Sequence, residues 1–564
     1  MQSLRANTLR VAVLLVISSP AAADCLAVFN NLRATLAGQQ VEGWMDNHGR
    51  PVPAANATAM SYALCIQACG SGSHFRTWNV FSQRFSTWLL PFLALVSQLP
   101  FGANNRLDNL MSILLNVGSP TLGAYSVLLT LLNGRWVTRR FSKISYPNAK
   151  SAGRILNMLQ QVPLKVTTED GLLASLIVLH ENNEWWADLL VWLDINYMYT
   201  WSFANVASIG WVVIAFSLTV VDIFTALTSN SSPPLNSDGL AVAFAWLWLL
   251  PIVVSWLQFG PRCDRVSLHR ALRHANGHAW LATDTRDPVP VNMKLNRRAI
   301  ELAPWDGNFG ADEHRTPPVY NYARLFRWNA AVEAVYSGFS EASRRAAQRT
   351  PVEGTVWTVG DPEIEIHLEN RHGSLEHVSN YIRGEVAFKN HWISSSVVCR
   401  MFASAIFALL LTWGTVSAAM LLEWLTPTIG LSCRSGSYLM YASVSTIVWV
   451  LLVISSVLSS VPSPSPHLRQ TAVCLRHSGK SLAVLNAAWI LLICIFQFAG
   501  VYDTCWCDGS VLYLGPRSYV VWILTPADIA EFWYPVVGGT VLASGTVFAF
   551  LTFIHILLDP QLTS

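Results

Sequence analysis

"LLNVGSPTLGAY", residues 114–125, interrupts an apolar run with Gly118 and Pro120 at its centre. Proline has no N–H to give and its ring clashes with the preceding turn, so a helix cannot run straight through this point. In hydrocarbon no water takes up the freed backbone groups, so a broken segment must be covered by protein or line a wet cavity. Whether this stretch is a kinked span, a re-entrant segment or an interfacial one sets the number of membrane crossings, and with it the fold.

The rest of the chain makes the membrane reading firm. Of 564 residues, 52% are hydrophobic and only 13% charged, against about 25% charged in soluble domains. Mean hydropathy is +0.36. The net charge of +3 gives no reason to expect a nucleic-acid partner; the expected partner is the lipid bilayer. Eight apolar stretches approach the length of about 20 residues that crosses a bilayer: 85–102, 108–133, 201–227, 239–259, 399–424, 437–461, 481–500 and 535–558. The expected fold is all-α, a polytopic transmembrane helix bundle of seven or eight spans with a cytosolic insert.

Lys and Arg near span ends orient the bundle. Arg135, Arg139, Arg140, Lys143, Lys150, Arg154 and Lys165 precede the first acid, Glu169, so that loop is cytosolic. Arg262, Arg265, Arg270 and Arg273 place the next long loop on the same side, as do Arg469, Arg476 and Lys480. The N-terminus reads as a secretory signal: Arg5 and Arg10, the short core "VAVLLVI" and Ala21/Ala23 before a cleavage point. A secreted N-terminus and a cytosolic loop at 134 need an odd number of crossings between them, yet two apolar stretches lie there. One of the two is therefore expected to be re-entrant or interfacial. The chain divides into a signal peptide (1–23), an extracytosolic disulfide-bearing segment (24–84), a first membrane block (85–259), a cytosolic insert (260–398), a second membrane block (399–558) and a cytosolic tail (559–564). Within the insert, "NAAVEAVYSGFSEASRRAAQ" has helical spacing with Ala331, Val332, Val335 and Phe339 on one face. "DPEIEIHLENRHGSLEH" alternates with a period of two and reads as a half-buried strand. "APWDGNFGADEHRTPP" reads as a loop.

Four quoted segments resemble a family of multi-span fungal membrane proteins with no assigned activity: "FSQRFSTWLLPFLALVSQLPFGANNRLDNLMSILLNVGSPTLGAYS", "PPVYNYARLF", "WLWLLPIVVSWLQ" and "CRSGSYLMYASVSTIVW". The resemblance covers most of the chain from Cys25 onward. It implies a membrane protein from a fungus and carries over no catalytic residue.

The topology sorts the cysteines. Cys25, Cys65, Cys69, Cys433, Cys505 and Cys507 fall outside; Cys263, Cys399, Cys474 and Cys494 fall in the cytosol or membrane. Outside is oxidising, so disulfides are expected rather than a zinc site. Six cysteines allow fifteen pairings, which sequence does not choose between. One bond is expected within the first three, one from Cys433 to Cys505 or Cys507, and one between the groups. Asn56-Ala57-Thr58 is a glycosylation acceptor if lumenal; Asn230-Ser231-Ser232 lies too close to a span for modification. His274 and His278, four apart, could hold a metal, but a solvated basic face explains them more simply.

Ionisable and amide side chains at membrane depth are the candidate functional positions: Gln98, Asn116, Asp222, Glu423 and His555. No phosphate-binding loop, kinase set, His-Glu zinc motif or nucleophile elbow occurs. No catalytic residue, cofactor or metal is expected, and the chain does not read as an enzyme. Two readings remain. A transporter or channel is the first, from the number of spans and the breaks at Pro91 and Pro120. A membrane sensor or adaptor is the second, from the outside segment and the insert. The membrane is expected to belong to the secretory pathway, with the plasma membrane as its end point. A polar cavity at mid-membrane favours transport and a packed core favours the sensor.

Overall fold

A computed structural model describes residues 25–35, 42–70, 76–100, 106–195, 201–228, 234–285, 287–291, 297–303, 312–359, 366–384, 394–461 and 463–558. The signal peptide, the Asn230 triplet, most of the "APWDGNFG" loop and the 559–564 tail lie outside these residues.

A small cap opens the chain. Helices α1 (Cys25–Thr35) and α2 (Tyr62–Cys69) flank a three-stranded antiparallel sheet of Trp44–Met45, Ala59–Ser61 and, from near the other end of the chain, Tyr519–Val521. Ser61 starts α2 by accepting from Leu64 N. Phe29, Trp44, Met60 and Val520 form the cap's core. Three disulfides hold it: Cys25–Cys69, Cys65–Cys505 and Cys433–Cys507, with Cα separations of 5.7, 5.9 and 5.0 Å. One bond lies within the N-terminal group, one within the loop group, and one joins them.

From the cap the chain enters α3 (Trp78–Arg84), a π-helical turn over Phe85–Leu89 and α4 (Leu90–Val96), one continuous helical run. Proline breaks the normal ladder here; Pro91 sits at the start of α4. Next come α5 (Arg106–Gly118) and α6 (Pro120–Phe141), bent by 103° at Ser119. Ser119 caps α6 by accepting from Leu122 N. Gly118 is required: a Cβ there would stand 1.9 Å from the carbonyl oxygen of Ala483. Both ends of the bent pair are tied to the insert, Asp108 to Arg315 at 3.0 Å and Arg140 to Glu333.

Helices α7 (Ala149–Met158), α8 (Leu172–Val178) and α9 (Asn183–Ile195) follow, then α10 (Phe203–Thr228), α11 (Pro234–Trp246) and α12 (Leu249–Phe259). The insert contributes α13 (Arg265–Gly277), α14 (Asn321–Ala347) and α15 (Leu375–Tyr381). Four long helices complete the chain: α16 (Ser395–Leu425), α17 (Cys433–Ser459), α18 (Pro466–Ala499) and α19 (Pro526–Leu557). Among the described residues, six helical segments are long and apolar enough to cross a membrane: Phe203–Leu227, Asp238–Phe259 and α16 to α19. The remaining two of the eight apolar stretches are the π-interrupted run and the bent pair, each divided by its proline.

The insert packs together with another segment of the chain. Its hydrophobic core is shared with residues from the end of α6 to α9, and strand Leu164–Val166 pairs antiparallel with Ile300–Leu302. Trp328 of α14 donates to Leu156 O at 2.9 Å, and Trp185 of α9 donates to Asn276 Oδ1 at 3.0 Å. Ala331, Val332, Val335 and Phe339 are buried in this core. Residues 144–193 and the segment from 268 on thus share one core across the expected boundary at 259/260. About half of the buried core comes from the earlier segment. The expected strand is corrected over its second half. Leu368–Arg371 forms a 3-10 turn, with His367 accepting from Glu369 N, which outcompetes an extended ladder; residues 363–365 lie outside the described set.

Overpacking a tight interior costs about 1–3 kcal/mol and occasionally more. Gly118→Ala is therefore expected to lower the thermal midpoint of the purified protein clearly. Gly210→Ala, where no atom lies within 4 Å of the added Cβ, is expected to leave it unchanged.

Candidate functional site

The polar groups inside the bundle gather at three levels. At the middle, the bend between α5 and α6 leaves the carbonyls of Val117 and Gly118 without helical partners. Tyr441 OH donates to Val117 O at 2.7 Å, and Asn486 Nδ2 to Gly118 O at 2.7 Å and Tyr441 O at 3.1 Å. Ser119 Oγ donates to Ser445 O at 2.7 Å; Thr121 reaches Thr412 Oγ1 at 3.0 Å and Ser445 Oγ at 3.1 Å. All of these residues are buried. The break is thus closed by side chains of α16, α17 and α18.

At the cap end lies a buried ionic cluster. Arg434, at the start of α17, contacts Asp503 at 2.6 Å, Asp508 at 2.8 Å and Asp238 at 3.8 Å. Arg76, between cap and α3, contacts Asp503 at 3.0 Å and Asp238 at 3.5 Å; Arg84 stands 3.7 Å from Asp238. Gln497 of α18 donates to Glu423 Oε1 at 2.9 Å and Asp238 Oδ1 at 3.3 Å, while Tyr438 donates to Gln497 Oε1 at 2.7 Å. The cluster joins the cap, α11, α16, α17, α18 and the 500–525 connection.

At the insert end, Asp312 is fully buried. It accepts from Lys480 Nζ at 2.9 Å and Tyr322 OH at 2.8 Å, with Arg315 at 3.8 Å and Arg476 at 3.9 Å. Arg315 continues the network to Asp108 and to Tyr320 OH at 2.9 Å. Burial alone would push the Asp312 carboxyl up; Lys480 and Arg476, helped by the Tyr322 hydroxyl, outweigh it and hold the group below the usual carboxylate range. Helix α18 supplies ligands at all three levels: Arg476 and Lys480, then Asn486, then Gln497.

The positions singled out in the sequence separate. Asn116 is buried beside the break and donates to Ser112 O at 2.9 Å. Gln98 is half-buried at the end of the α4 run, bonded to Ser97 Oγ at 3.0 Å, away from the break. Glu423 belongs to the cap-end cluster. Asp222 and His555 are exposed on outward faces of α10 and α19. Asn56 is exposed on the cap. Arg76, Arg84, Asp238, Arg434, Asp503, Asp508, Asp312, Arg315, Arg476 and Lys480 were not anticipated as site residues; several read in the sequence only as orientation charges. Two groups could offer three metal ligands within 4.8 Å of one another: His180, Glu181 and His372, and Asp188 with His274 and His278. In the first, His180 Nδ1 and Glu181 stand 3.2 Å apart without a hydrogen bond; in the second, His278 Nδ1 is hydrogen-bonded to Asp188 at 3.2 Å. The Cys25, Cys65 and Cys69 grouping is spent on disulfides.

No family model, no curated protein and no solved structure matches the chain.

A carboxyl held below its unfolded value contributes stability above that value, about 3.9 for Asp. The contribution is lost as pH falls through about 3.9 toward the folded value. The thermal midpoint, followed between about pH 7 and pH 3, is expected to fall more steeply at the acid end for the wild type than for Asp312→Asn. The variant is expected to be less stable at pH 7, by about 3–5 kcal/mol, and so to start from a lower midpoint. Parallel curves would assign the acid loss to other carboxylates.

Proposed function

We propose that this chain is a membrane sensor or adaptor, in which a packed bundle couples an outer disulfide-bonded cap to an inner helical domain. The observation that carries this reading is the closure of the α5–α6 break by direct hydrogen bonds with α16, α17 and α18. A transport path needs broken backbone at membrane depth to face water or substrate; here its carbonyls face Tyr441 and Asn486. Helix α18 supports the coupling role, since one rigid element bonds the cap-end cluster, the break and the Asp312 cluster.

The same reading counts seven crossings. The 78–99 run is the first, starting at Arg76 in the cap-end cluster. The bent pair enters and leaves on the insert side, because Asp108 and Arg140 at its two ends both pair with the insert. Six further crossings follow, α11 and α12 together making one. The cap, delivered by the signal peptide and carrying the Asn56 acceptor, is outside; the insert, residues 142–195 and the C-terminus are cytosolic, in a membrane of the secretory pathway.

Ser119→Cys tests the closed break. The cysteine is expected to resist membrane-impermeant thiol reagents from either side of proteoliposomes; rapid labelling would restore the transporter reading. The coupling is tested by hydrogen exchange on Arg76→Gln in nanodiscs. Faster exchange at 312–325, with the middle of α16 unchanged as internal reference, is the expected result. An unchanged insert would break the sensor reading.

A further inference from the structure

A second charged region stands apart from the three levels. Arg135, Arg139 and Arg140 project from the last turns of α6, and Lys143 from the turn that follows it. With Arg400, from the first turns of α16, they border an open cavity of about 450 Å³. Trp136 and Tyr336 supply its aromatic wall. The volume falls in the range of small-molecule sites, about 300–1,000 Å³.

The charge of this cavity is not balanced from within. Glu333 is the one carboxylate that pairs with any of the five cations among the described residues, and it is engaged by Arg140. Arg140 also lies over the Tyr336 ring at 3.8 Å and the Trp136 ring at 5.0 Å. Arg400 is only 7% exposed, yet its bonds go to neutral acceptors: Asn133 Oδ1 at 2.5 Å, Asn329 Oδ1 at 2.8 Å and Ser396 O at 3.2 Å. Its guanidinium lies 4.0 Å from the centre of the Trp136 ring. Arg135 reaches only Ile556 O, at 3.5 Å, and its buried Nε has no partner. Arg139 and Lys143 are exposed, and no carboxylate pairs with either among the described residues. Burying a guanidinium is costly when the nearest carboxylate, Glu333, is already bonded to another cation, Arg140. Four further cations around the same cavity, against one carboxylate, make it a place where an anion is stabilised.

The position narrows the chemistry. Ile556 ends α19 and Arg400 begins α16, so the cavity sits where two membrane helices terminate, beside the inner domain. Guanidinium forks match phosphate oxygens in a planar, bidentate way, and basic pockets between helices on the cytosolic side suit phosphorylated headgroups. We infer that the Arg135–Lys143/Arg400 cavity binds an anion bearing more than one phosphate, of the kind carried by a phosphoinositide headgroup. A single phosphate would leave most of the surplus positive charge unpaired. The same phosphates can arrive on a membrane lipid or on a soluble polyphosphate, and Trp136 in the wall offers a fluorescence readout for either.

The test uses the full chain in phosphatidylcholine nanodiscs. Two probes are titrated separately: a short-chain phosphatidylinositol bisphosphate, and inositol trisphosphate in water. Binding is followed by fluorescence and by native mass spectrometry, and falls as salt is raised. Arg139→Gln/Lys143→Gln changes two exposed residues without buried partners, so the thermal midpoint should not move. Its affinity should fall about thirtyfold, from the loss of two basic contacts. Binding of the lipid alone assigns the site to the membrane; binding of both probes, or of the soluble one alone, assigns it to the phosphates themselves. No binding of either probe by the wild type, or equal binding by the double variant, overturns the inference.

Discussion

Two backbone carbonyls, those of Val117 and Gly118, tie the bent pair to α17 and α18. The bend at Ser119 frees them within the bundle, where no water can compensate. Satisfying them needs a donor from α17 and another from α18, and Tyr441 and Asn486 supply these. Asn486 also donates to Tyr441 O, so the same amide that closes the break sets the register between α17 and α18. The approach is close enough that only glycine fits at 118. Moving any of the three helices would strand a buried carbonyl, at a cost of about 1–3 kcal/mol each.

The ionic clusters at the two ends depend on this register. In the cap-end cluster three guanidiniums, Arg76, Arg84 and Arg434, face Asp238, Asp503, Asp508 and Glu423. Buried pairs of this kind add little net stability, but removing one partner is expensive. Their effect is to select one arrangement of the segments that carry them. The disulfides act on those same segments: Cys505 and Cys507 sit in the helical turn that ends at Asp508, and Cys433 precedes Arg434. Covalent bonds and charges thus fix one connection twice, by chain constraint and by electrostatics.

What could be read in advance follows from how local each signal is. Gly118 and Pro120 announce the break, because backbone chemistry is written in adjacent residues. The face of α14 was legible from the spacing of Ala331, Val332, Val335 and Phe339. The grouping of the outer cysteines followed from topology. Partners distant in the chain were not legible. Asp238 and Arg434 stand alone in short connections and give no hint of each other or of Asp503. Asp312 sits in a loop-like stretch, and its partners Arg476 and Lys480 served only as orientation charges. The inner domain escaped for a similar reason: Trp185 and Leu156, which complete the core around Trp328 and Asn276, belong to a segment that reads as a basic loop. The strand reading of Leu368 failed because a period of two describes side chains, while His367 capping Glu369 N decides the backbone.

Counting Lys and Arg treats all inner-side cations alike, and the structure separates them into two kinds. Arg476, Lys480 and Arg315 are spent on Asp312 and Asp108, deep enough that salt screens them little. Arg139 and Lys143 keep their charge exposed, at the end of a helix whose carbonyl ends already favour cations. The first kind holds the insert against the bundle; the second leaves a positive field at the membrane boundary. The bent pair meets both kinds: Asp108 on α5 takes Arg315, and Arg139 stands exposed near the end of α6. The break at Ser119 therefore lets one short hairpin hold the insert at both ends, through Asp108 and Arg140, while Arg139 stays exposed beside the second contact.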